Sequence, residues 1–519
     1  MICHCNNDII NGKKQNIIML RRIRLILAAI FYIAITALFL DFTGTLHIWF
    51  GWMAKVQLLP ALLALNVGVV CVLVLLTLIF GRLYCSIICP LGVMQDIFAW
   101  FGKKAKKNRY SYSTEKKWLR YILLILFIVS LLIGGGVLAK LLAPYSAYGR
   151  IASNLLAPIW QWGNNGLAYL AERVDSYAFY ETEVWIKSVF TFGVAIITLL
   201  IIGVLAWRNG RTWCNTVCPV GTALGFVSRF SWLKPVIDTE KCNGCGLCAK
   251  NCKAACINSK EHKIDYSRCV ACMDCIEKCK KGAISFTHPS SCKSCTQTPS
   301  EEKVTNTEKV DTSRRTFLTT TAVVAATAAI KAQENKVDGG LATIEDKVAP
   351  DRQTHIVPPG SLSARNFAQH CTSCQLCVSV CPNGVLTPST NLSRLMQPEM
   401  TYERGYCRPE CTKCSDVCPT GAIRPITRED KSSTQIGHAV WVKKNCIPLT
   451  DGQTCGNCAR HCPVGAIQML PSEEGNRRSP RIPVINVERC IGCGACENLC
   501  PARPFSAIYV EGHERHKEV

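Results

Sequence analysis

The chain has 519 residues, 34 cysteines, a hydrophobic share of 49% and a formal charge of +22 at pH 7. Its length accommodates about three or four domains. So large a charge suggests nucleic acid. It counts every thiol as neutral, however, and the lysines and arginines gather beside apolar segments, as membrane-topology signals do; that pattern excludes nucleic acid as a partner.

Four apolar runs, 25–40, 58–80, 121–139 and 188–207, occupy the first part of the chain. The last three approach the ~20 residues that cross a bilayer core; the first must continue toward Phe50 or tilt little. Their near-absence of internal charge separates them from buried soluble helices, and residues 1–235 are expected to form a four-helix transmembrane bundle. Basic residues precede the first run (Lys13, Lys14, Arg21, Arg22, Arg24), crowd the second connection (Arg82, Lys103, Lys104, Lys106, Lys107, Arg109, Lys116, Lys117, Arg120) and follow the fourth run (Arg208, Arg211), whereas the first connection has only Lys55. The positive-inside rule then puts the N-terminus, the second connection and residues 208–312 in the cytoplasm. The third connection, about 140–187, is rich in aromatics (Tyr145, Trp160, Trp162, Tyr169, Tyr177, Phe179, Tyr180), which suits an interfacial helix on the far side. Inside this region Gly81-Arg82-Leu83-Tyr84-Cys85-Ser86-Ile87-Ile88-Cys89-Pro90 parallels Gly210-Arg211-Thr212-Trp213-Cys214-Asn215-Thr216-Val217-Cys218-Pro219. Folded against each other, the two hairpins bring Cys85, Cys89, Cys214 and Cys218 together, to hold a further metal site, form disulfides or simply pack.

Residues 236–290 carry two C-x2-C-x2-C-x3-C sets, Cys242/Cys245/Cys248/Cys252 and Cys269/Cys272/Cys275/Cys279. Three closely spaced thiolates wrap one [4Fe-4S] cubane and the fourth ligates its neighbour, so this is a two-cluster ferredoxin of α+β type. Residues 291–350 read as a polar linker followed by Ser313-Arg314-Arg315-Thr316-Phe317-Leu318 and a short apolar run to Ile330. Paired arginines before such a run have the form of a twin-arginine export signal, here also a fifth, anchoring helix; Ile330-Lys331-Ala332 is a poor cleavage site. Residues 351–519 hold four more sets, Cys371/Cys374/Cys377/Cys381, Cys407/Cys411/Cys414/Cys418, Cys446/Cys455/Cys458/Cys462 and Cys490/Cys493/Cys496/Cys500, the second and third stretched. They imply a four-cluster polyferredoxin, α+β and periplasmic if the export signal acts. Sequential and nested pairing of its sets both satisfy the spacing.

Structural zinc favours separated C-x2-C pairs. Disulfides do not select this repeated spacing, and covalent haem needs C-x-x-C-H, which is absent. Proline follows the last cysteine in four sets (Pro382, Pro419, Pro463, Pro501), as in bacterial ferredoxins. Six oxidised cubanes with their thiolates, at roughly −2 each, bring the formal charge down to about +10. Cys256 stands where related strings have alanine and is read as a small packing residue. Cys71, within an apolar run, is read the same way, and Cys292 and Cys295 as part of a flexible tail; Cys3 and Cys5 are unassigned.

The first ~290 residues, with four apolar runs, two C-x3-C-P strings (Cys85/Cys89/Pro90 and Cys214/Cys218/Pro219) and two ferredoxin sets, resemble NapH, a membrane iron–sulfur subunit that supplies electrons to a periplasmic nitrate reductase. Residues from about 311, with paired arginines and four sets, resemble NapG. The chain looks like the two fused, and the layout is similar to that of MauN and MauM of methylamine dehydrogenase systems. It departs from the pattern in lysine after Cys252 and Cys279 and in the C-x8-C spacing of the third C-terminal set. The resemblance implies a quinol dehydrogenase in the bacterial inner membrane. Menaquinol or ubiquinol would give electrons through [4Fe-4S] clusters to a periplasmic reductase or cytochrome c, with the twin-arginine machinery exporting the C-terminal part. The alternative is a redox maturation or repair factor for a periplasmic enzyme. The residues independently describe a conductor with donor and acceptor elsewhere, with no GxGxxG nucleotide site. His47, Asp41, Glu172, Asp175, Glu181 and Glu183 are the candidate quinol bases, each more readily explained as surface residues. A hydrocarbon core of about 30 Å separates the two groups of clusters, so a quinone or a cluster at the C-x3-C-P quartet has to relay.

Overall fold

The computed structural model describes residues 2–105, 110–133, 136–288, 337–338, 342–343, 345–474, 476 and 478–518, with side chains from residue 19 onward except at 337–338 and 342–343. The paired arginines 314 and 315, the run to Ile330, and Cys292 and Cys295 lie outside the described residues.

Helix α1, Ile2–Leu40, contains an apolar stretch, Met19–Leu40, of 22 residues, about 33 Å at 1.5 Å per residue. It ends where Asp41 accepts hydrogen bonds from the backbone N–H of Thr43 (3.0 Å), Gly44 (2.9 Å) and Leu46 (2.8 Å). The chain then reverses into α2, Thr45–Lys55, and Trp52 meets Phe31 edge-on. The run expected at 58–80 is two helices, α3 Leu58–Leu63 and α4 Val67–Phe80. Hydropathy alone hides the break. Leu65 takes a left-handed backbone, and the Asn66 side chain caps α4 by accepting from Val69 N, the usual role of asparagine at a helix start. Cys71, expected to pack, is exposed on α4. After α5 (Tyr84–Ile87) and α6 (Pro90–Lys104), the run expected at 121–139 becomes α7, Lys117–Leu132, and α8, Val137–Leu142. A stretch of three glycines, 134–136, divides them, and glycine is costly in a helix interior.

Helix α9, Pro144–Ile151, is buried along its whole length; a π-helical turn, Ala152–Leu156, leads into α10, Ala157–Glu172, which exposes Trp160, Trp162 and Tyr169. Helix α11, Val189–Asn209, matches the fourth expected run, with Ser188 as its cap. Then come α12, Thr212–Thr216, and α13, Pro219–Val227. Among the described residues, two helices, Met19–Leu40 and Val189–Asn209, are long and apolar enough to cross a membrane.

Two small iron–sulfur folds flank these helices. The first pairs β1 (Lys234–Ile237) antiparallel with β4 (Ile284–Thr287) and β2 (Ile257–Asn258) with β3 (Lys263–Ile264). It docks at the Arg21 end of α1, where Arg21 meets Asp274 (2.9 Å) and Glu277 (2.7 Å). The second pairs Leu386–Pro388 with Pro398–Met400, Thr434–Trp441 with Ile508–Glu518, and Ile467–Pro471 with Arg481–Ile485. It docks at the Leu40 end: Lys413 Nζ donates to Thr43 O (2.8 Å), Lys187 Nζ to Val378 O (2.8 Å) and Asn154 Nδ2 to Gln375 Oε1 (2.8 Å). The helix from Arg21 to Leu40 therefore separates the two modules by about 30 Å.

Candidate iron–sulfur sites

In the first module the thiol of Cys248 interacts with those of Cys242 and Cys279, and Cys252 gathers with Cys269, Cys272 and Cys275. With Cys245, which lies between Cys242 and Cys248 in sequence, this is the expected crossed arrangement, three thiols of one set and the last of the other. In the second module Cys371, Cys374 and Cys377 gather with Cys418, and Cys407, Cys411 and Cys414 with Cys381. Cys446, Cys455 and Cys458 gather with Cys500, and Cys490, Cys493 and Cys496 with Cys462. Of the two pairings the spacing left open, the structure has the sequential one, first set with second and third with fourth.

The local backbone explains how these strings wrap a cluster. In four sets the residues on both sides of the second cysteine have positive φ: Gly244 and Gly246, Ala271 and Met273, Ser373 and Gln375, Gly492 and Gly494. Left-handed residues turn backbone N–H groups inward, a concavity suited to an anion. At Gly494 a side chain is also excluded by contact, since a β-carbon would run into the ring of Tyr402. The closing strings act through their own turn. In C-K-K-G-A and C-P-V-G-A the glycines, Gly282 and Gly465, are left-handed, and the next N–H groups return to the sulfur: Ala283 N to Cys279 Sγ at 3.3 Å and Ala466 N to Cys462 Sγ at 3.2 Å. Such N–H···S bonds are among the controls on cluster potential. The stretched loop at Cys407–Cys411 is tied by buried Lys431, whose Nζ donates to the carbonyls of Arg408 (2.6 Å) and Cys411 (2.5 Å). Burial pushes the Cys371 and Cys374 thiols up to about 12, so loading with iron has to release their protons. Cys256 is buried, as a packing residue should be, yet its sulfur lies 3.5 Å from Cys252 Sγ, beside a ligand set.

The two C-x3-C-P strings meet in the helical part. The buried thiols of Cys85, Cys89, Cys214 and Cys218 interact in every pairwise combination. Their surroundings repeat with a two-fold exchange. Arg82 of the first string donates to Cys214 O of the second (3.2 Å), and Arg211 of the second to Cys85 O of the first (2.5 Å). Gly92 and Gly221 permit this contact, because a β-carbon on either would strike the carbonyl oxygen of Cys85 or Cys214 and crowd the opposite arginine. Both guanidiniums are wholly buried. Arg211 has Asp96 at 2.7 Å. Arg82 donates to neutral oxygens of Asn215, Ser267 and Cys214, and lies 3.8 Å from Cys85 Sγ. A buried cation needs negative charge nearby, which thiolates around a cubane would supply. Among the described residues no three His, Cys, Asp or Glu side chains stand at single-ion spacing; thiolates on separate corners of a cluster do not require it.

The quartet lies between the two modules. Arg82 also reaches Ser267 O of the first module (3.2 Å) and interacts with Cys269. Tyr84, packed beside the quartet, donates to Gln57 Oε1 (3.0 Å). Toward the other end, Tyr148 of α9 meets Tyr32 and Phe39 of α1, and Tyr145 meets Phe39 and lies beside Cys374 and Cys418. Within the second module, Cys407 N donates to Cys493 O (2.9 Å), bringing its two cluster pairs together. The quinol bases suggested by sequence do not join this path. Asp41, at the end of α1, and His47, in the first turn of α2, pair with each other (3.4 Å), and Glu172, Asp175, Glu181 and Glu183 are exposed.

Comparison with known proteins agrees with these sites. Models described as 4Fe-4S binding domains match residues 233–254 and 262–285, and a 4Fe-4S dicluster domain matches 370–436 and 453–503. A further 4Fe-4S binding domain matches 62–109 and 190–237, the two strings of the quartet. The chain is 27% identical over 195 residues to the ferredoxin-type protein NapH of Escherichia coli strain K12, covering 37% of this chain and 55% of that one. It therefore spans about half the length of the NapH relatives it matches. It is 32% identical over 175 residues to the ferredoxin-type protein NapG of the same organism, 31% of this chain and 75% of that one. With the methylamine utilization ferredoxin-type protein MauM of Paracoccus denitrificans it shares 31% over 168 residues, 31% of this chain and 73% of that one. No solved structure matches.

Proposed function

Because this chain belongs to the ferredoxin-type iron–sulfur family that includes NapG and MauM, joined here to a NapH-like part, we propose that it is a quinol dehydrogenase of the bacterial inner membrane. In this reading all four apolar segments are embedded. The module at residues 234–288 faces the cytoplasm, and the module from 351 onward faces the periplasm after export through the signal around Arg314 and Arg315. Cubanes, when bound, carry single electrons; the chain's residues hold them in order. The crossed sets of the first module lead to the quartet of Cys85, Cys89, Cys214 and Cys218, which would hold a seventh cluster. Beyond it, Tyr148 and Tyr145 fill the space toward the Cys371/Cys374/Cys377/Cys418 set. The contact between Cys407 and Cys493 then leads to the last pair. The acceptor is a periplasmic redox protein, such as a nitrate reductase or a cytochrome c.

The observation that carries this reading is the buried four-thiol group between two ferredoxin modules, in the gap that direct hopping between them could not bridge. The test is to add a naphthoquinol anaerobically to membranes containing the protein. Bleaching of the visible iron–sulfur absorbance is the expected result, and absorbance unchanged by any quinol contradicts the reading. The near-equal likeness to MauM favours a second role, keeping a periplasmic enzyme's cofactor or thiols reduced. Deleting the gene would then leave that enzyme inactive even with an artificial electron donor, whereas under the first reading the donor restores turnover.

A further inference from the structure

A cleft of about 550 Å³ lies between α1, α6 and the first ferredoxin module, within the size range of small-molecule sites. Its walls are apolar, from Leu25 and Ala28 on α1 to Ile97 and Trp100 on α6. Ile33 and Trp100, 66% and 57% exposed, carry this apolar surface out to the flank of the helices. Polar groups converge at the inner end. Asp96 accepts from Arg211 Nε (2.7 Å) and Lys253 Nζ (2.8 Å). Arg24 is only 3% exposed, yet its Nε and Nη1 have no hydrogen-bond partner, and its Nη1 stands 3.8 Å from Asp96 Oδ2. Leaving a charged donor buried and unmatched is costly, so these donors require an acceptor from a ligand. The same end touches the cluster ligands, since Lys253 follows Cys252 and Asp274 precedes Cys275, and both line the cleft.

We infer that this cleft is the site where the quinol of the proposed function binds, an inference that rests on that reading. A hydroquinone is a flat apolar ring with an oxygen at each end and an isoprenoid tail. Arg24 donates to one ring oxygen, Asp96 accepts from its O–H, the ring lies between Ala28 and Ile97, and the tail leaves past Trp100 and Ile33. A phosphate headgroup fits less well. The other cations at the site are already engaged, Arg21 with Asp274 and Glu277, Lys253 with Asp96, Lys278 with Glu277 and, at the mouth, Lys103 with Asn251 Oδ1, which leaves one arginine and a carboxylate at the inner end. Oxidation removes two electrons and two protons from the hydroquinone, leaving the quinone. The two electrons would leave one to each of the cubanes that the cysteines of the 234–288 module hold when loaded, and the protons pass to water at the mouth beside exposed Lys103.

The test uses the full chain in lipid nanodiscs, with a naphthoquinol as reductant and an azido-naphthoquinone as photolabel. Native protein should be labelled within residues 21–33 and 93–101, with unlabelled naphthoquinone displacing the label. Arg24→Gln should slow quinol-driven cluster reduction at least tenfold while dithionite-reducible iron stays unchanged; Ala28→Phe, which fills the cleft, provides a second variant should the first fail to fold. Arg404→Gln tests the cleft at the opposite end, lined by Trp185, Phe190 and Arg404, and should leave the rate unchanged. Loss of quinol reduction in Arg404→Gln but not in the α1 variants, or a label displaced by anionic phospholipid and not by naphthoquinone, overturns the site while leaving the quinol reading intact. Native protein that no quinol reduces overturns both.

Discussion

The two ferredoxin modules are built from the same loops yet are attached to the helices by different chemistry. The 234–288 module is held by ion pairs, Arg21 to Asp274 and Glu277 and Lys253 to Asp96, and by Arg268 donating to Ser113 O at 2.7 Å. At the second interface the cations of either side meet neutral acceptors: Lys413 of the module at Thr43 O, Lys187 of the third connection at Val378 O, and Arg404 of the module over the Trp185 ring at 4.3 Å. The first interface lies where the sequence concentrates lysine and arginine. The second forms where the connections are nearly neutral, so hydrogen bonds and buried aromatics do the work. Identical cluster chemistry has thus been mounted on two electrostatically distinct ends of one helical body.

The largest effects should come from changing ligands. Cys418→Ala removes the crossed ligand from the Cys371/Cys374/Cys377 cluster, and Cys279→Ala does the same for Cys242/Cys245/Cys248. Each is expected to lower iron content by about four atoms per chain, measured by anaerobic iron and sulfide analysis. Should Cys418→Ala instead abolish the signal that Cys411→Ala abolishes, the crossed assignment fails. Next come Gly92→Ala and Gly221→Ala, where the new methyl meets the cysteine carbonyl of its own string and the arginine of the opposite one. Overpacking of this kind costs about 1–3 kcal/mol, read as a lowered midpoint of thermal unfolding. Gly163→Ala on α10, with open space around it, should raise stability by up to ~1 kcal/mol.

Smaller effects separate the two docking chemistries. Arg21→Gln removes a pair that is only partly buried, at a cost of about 0–1 kcal/mol that salt should largely erase. Lys413→Gln loses a cation-to-carbonyl hydrogen bond of comparable size, whose effect should change little with salt. Midpoints at low and high ionic strength check both, and equal salt dependence would remove the distinction. The smallest expected effect is one of pH. Burial and neighbouring Arg394 bring His355 of the second module down to about 4. The unfolded chain then takes the proton first, so stability falls as pH drops from about 6.5 toward about 4. In His355→Gln that part of the acid sensitivity should disappear.

Cysteine spacing made the six ligand sets and their crossed logic legible, because in four of them three thiols fall within seven residues, which cannot serve much else, and the two stretched sets keep the same order. The C-x3-C-P repeat likewise announced the quartet. The helical part was less legible. Asn66 is one polar residue in a long apolar run, and its capping of α4 shows only when the turn at Leu65 is seen. Arg24 read as a topology signal; that it is buried with unmatched donors emerges only from the packing of α6 and the first module against α1. Asp96 escaped notice because the three cations around it come from α1, α12's approach at Arg211 and the ferredoxin loop at Lys253, segments distant in sequence. The quinol bases suggested by sequence were titratable residues of the first and third connections, and those in the third are solvent-facing.

The continuity of the path through the buried quartet is tested most directly by rapid mixing of the anaerobically purified chain, and of its Cys89→Ser/Cys218→Ser variant, with a naphthoquinol. The second module is followed through the paramagnetic signal that Cys371→Ser removes. The native chain should develop that signal; the variant should contain about four fewer irons, reduce its first module and leave the second oxidised. A variant with full iron content and both modules reduced at the native rate would contradict the account.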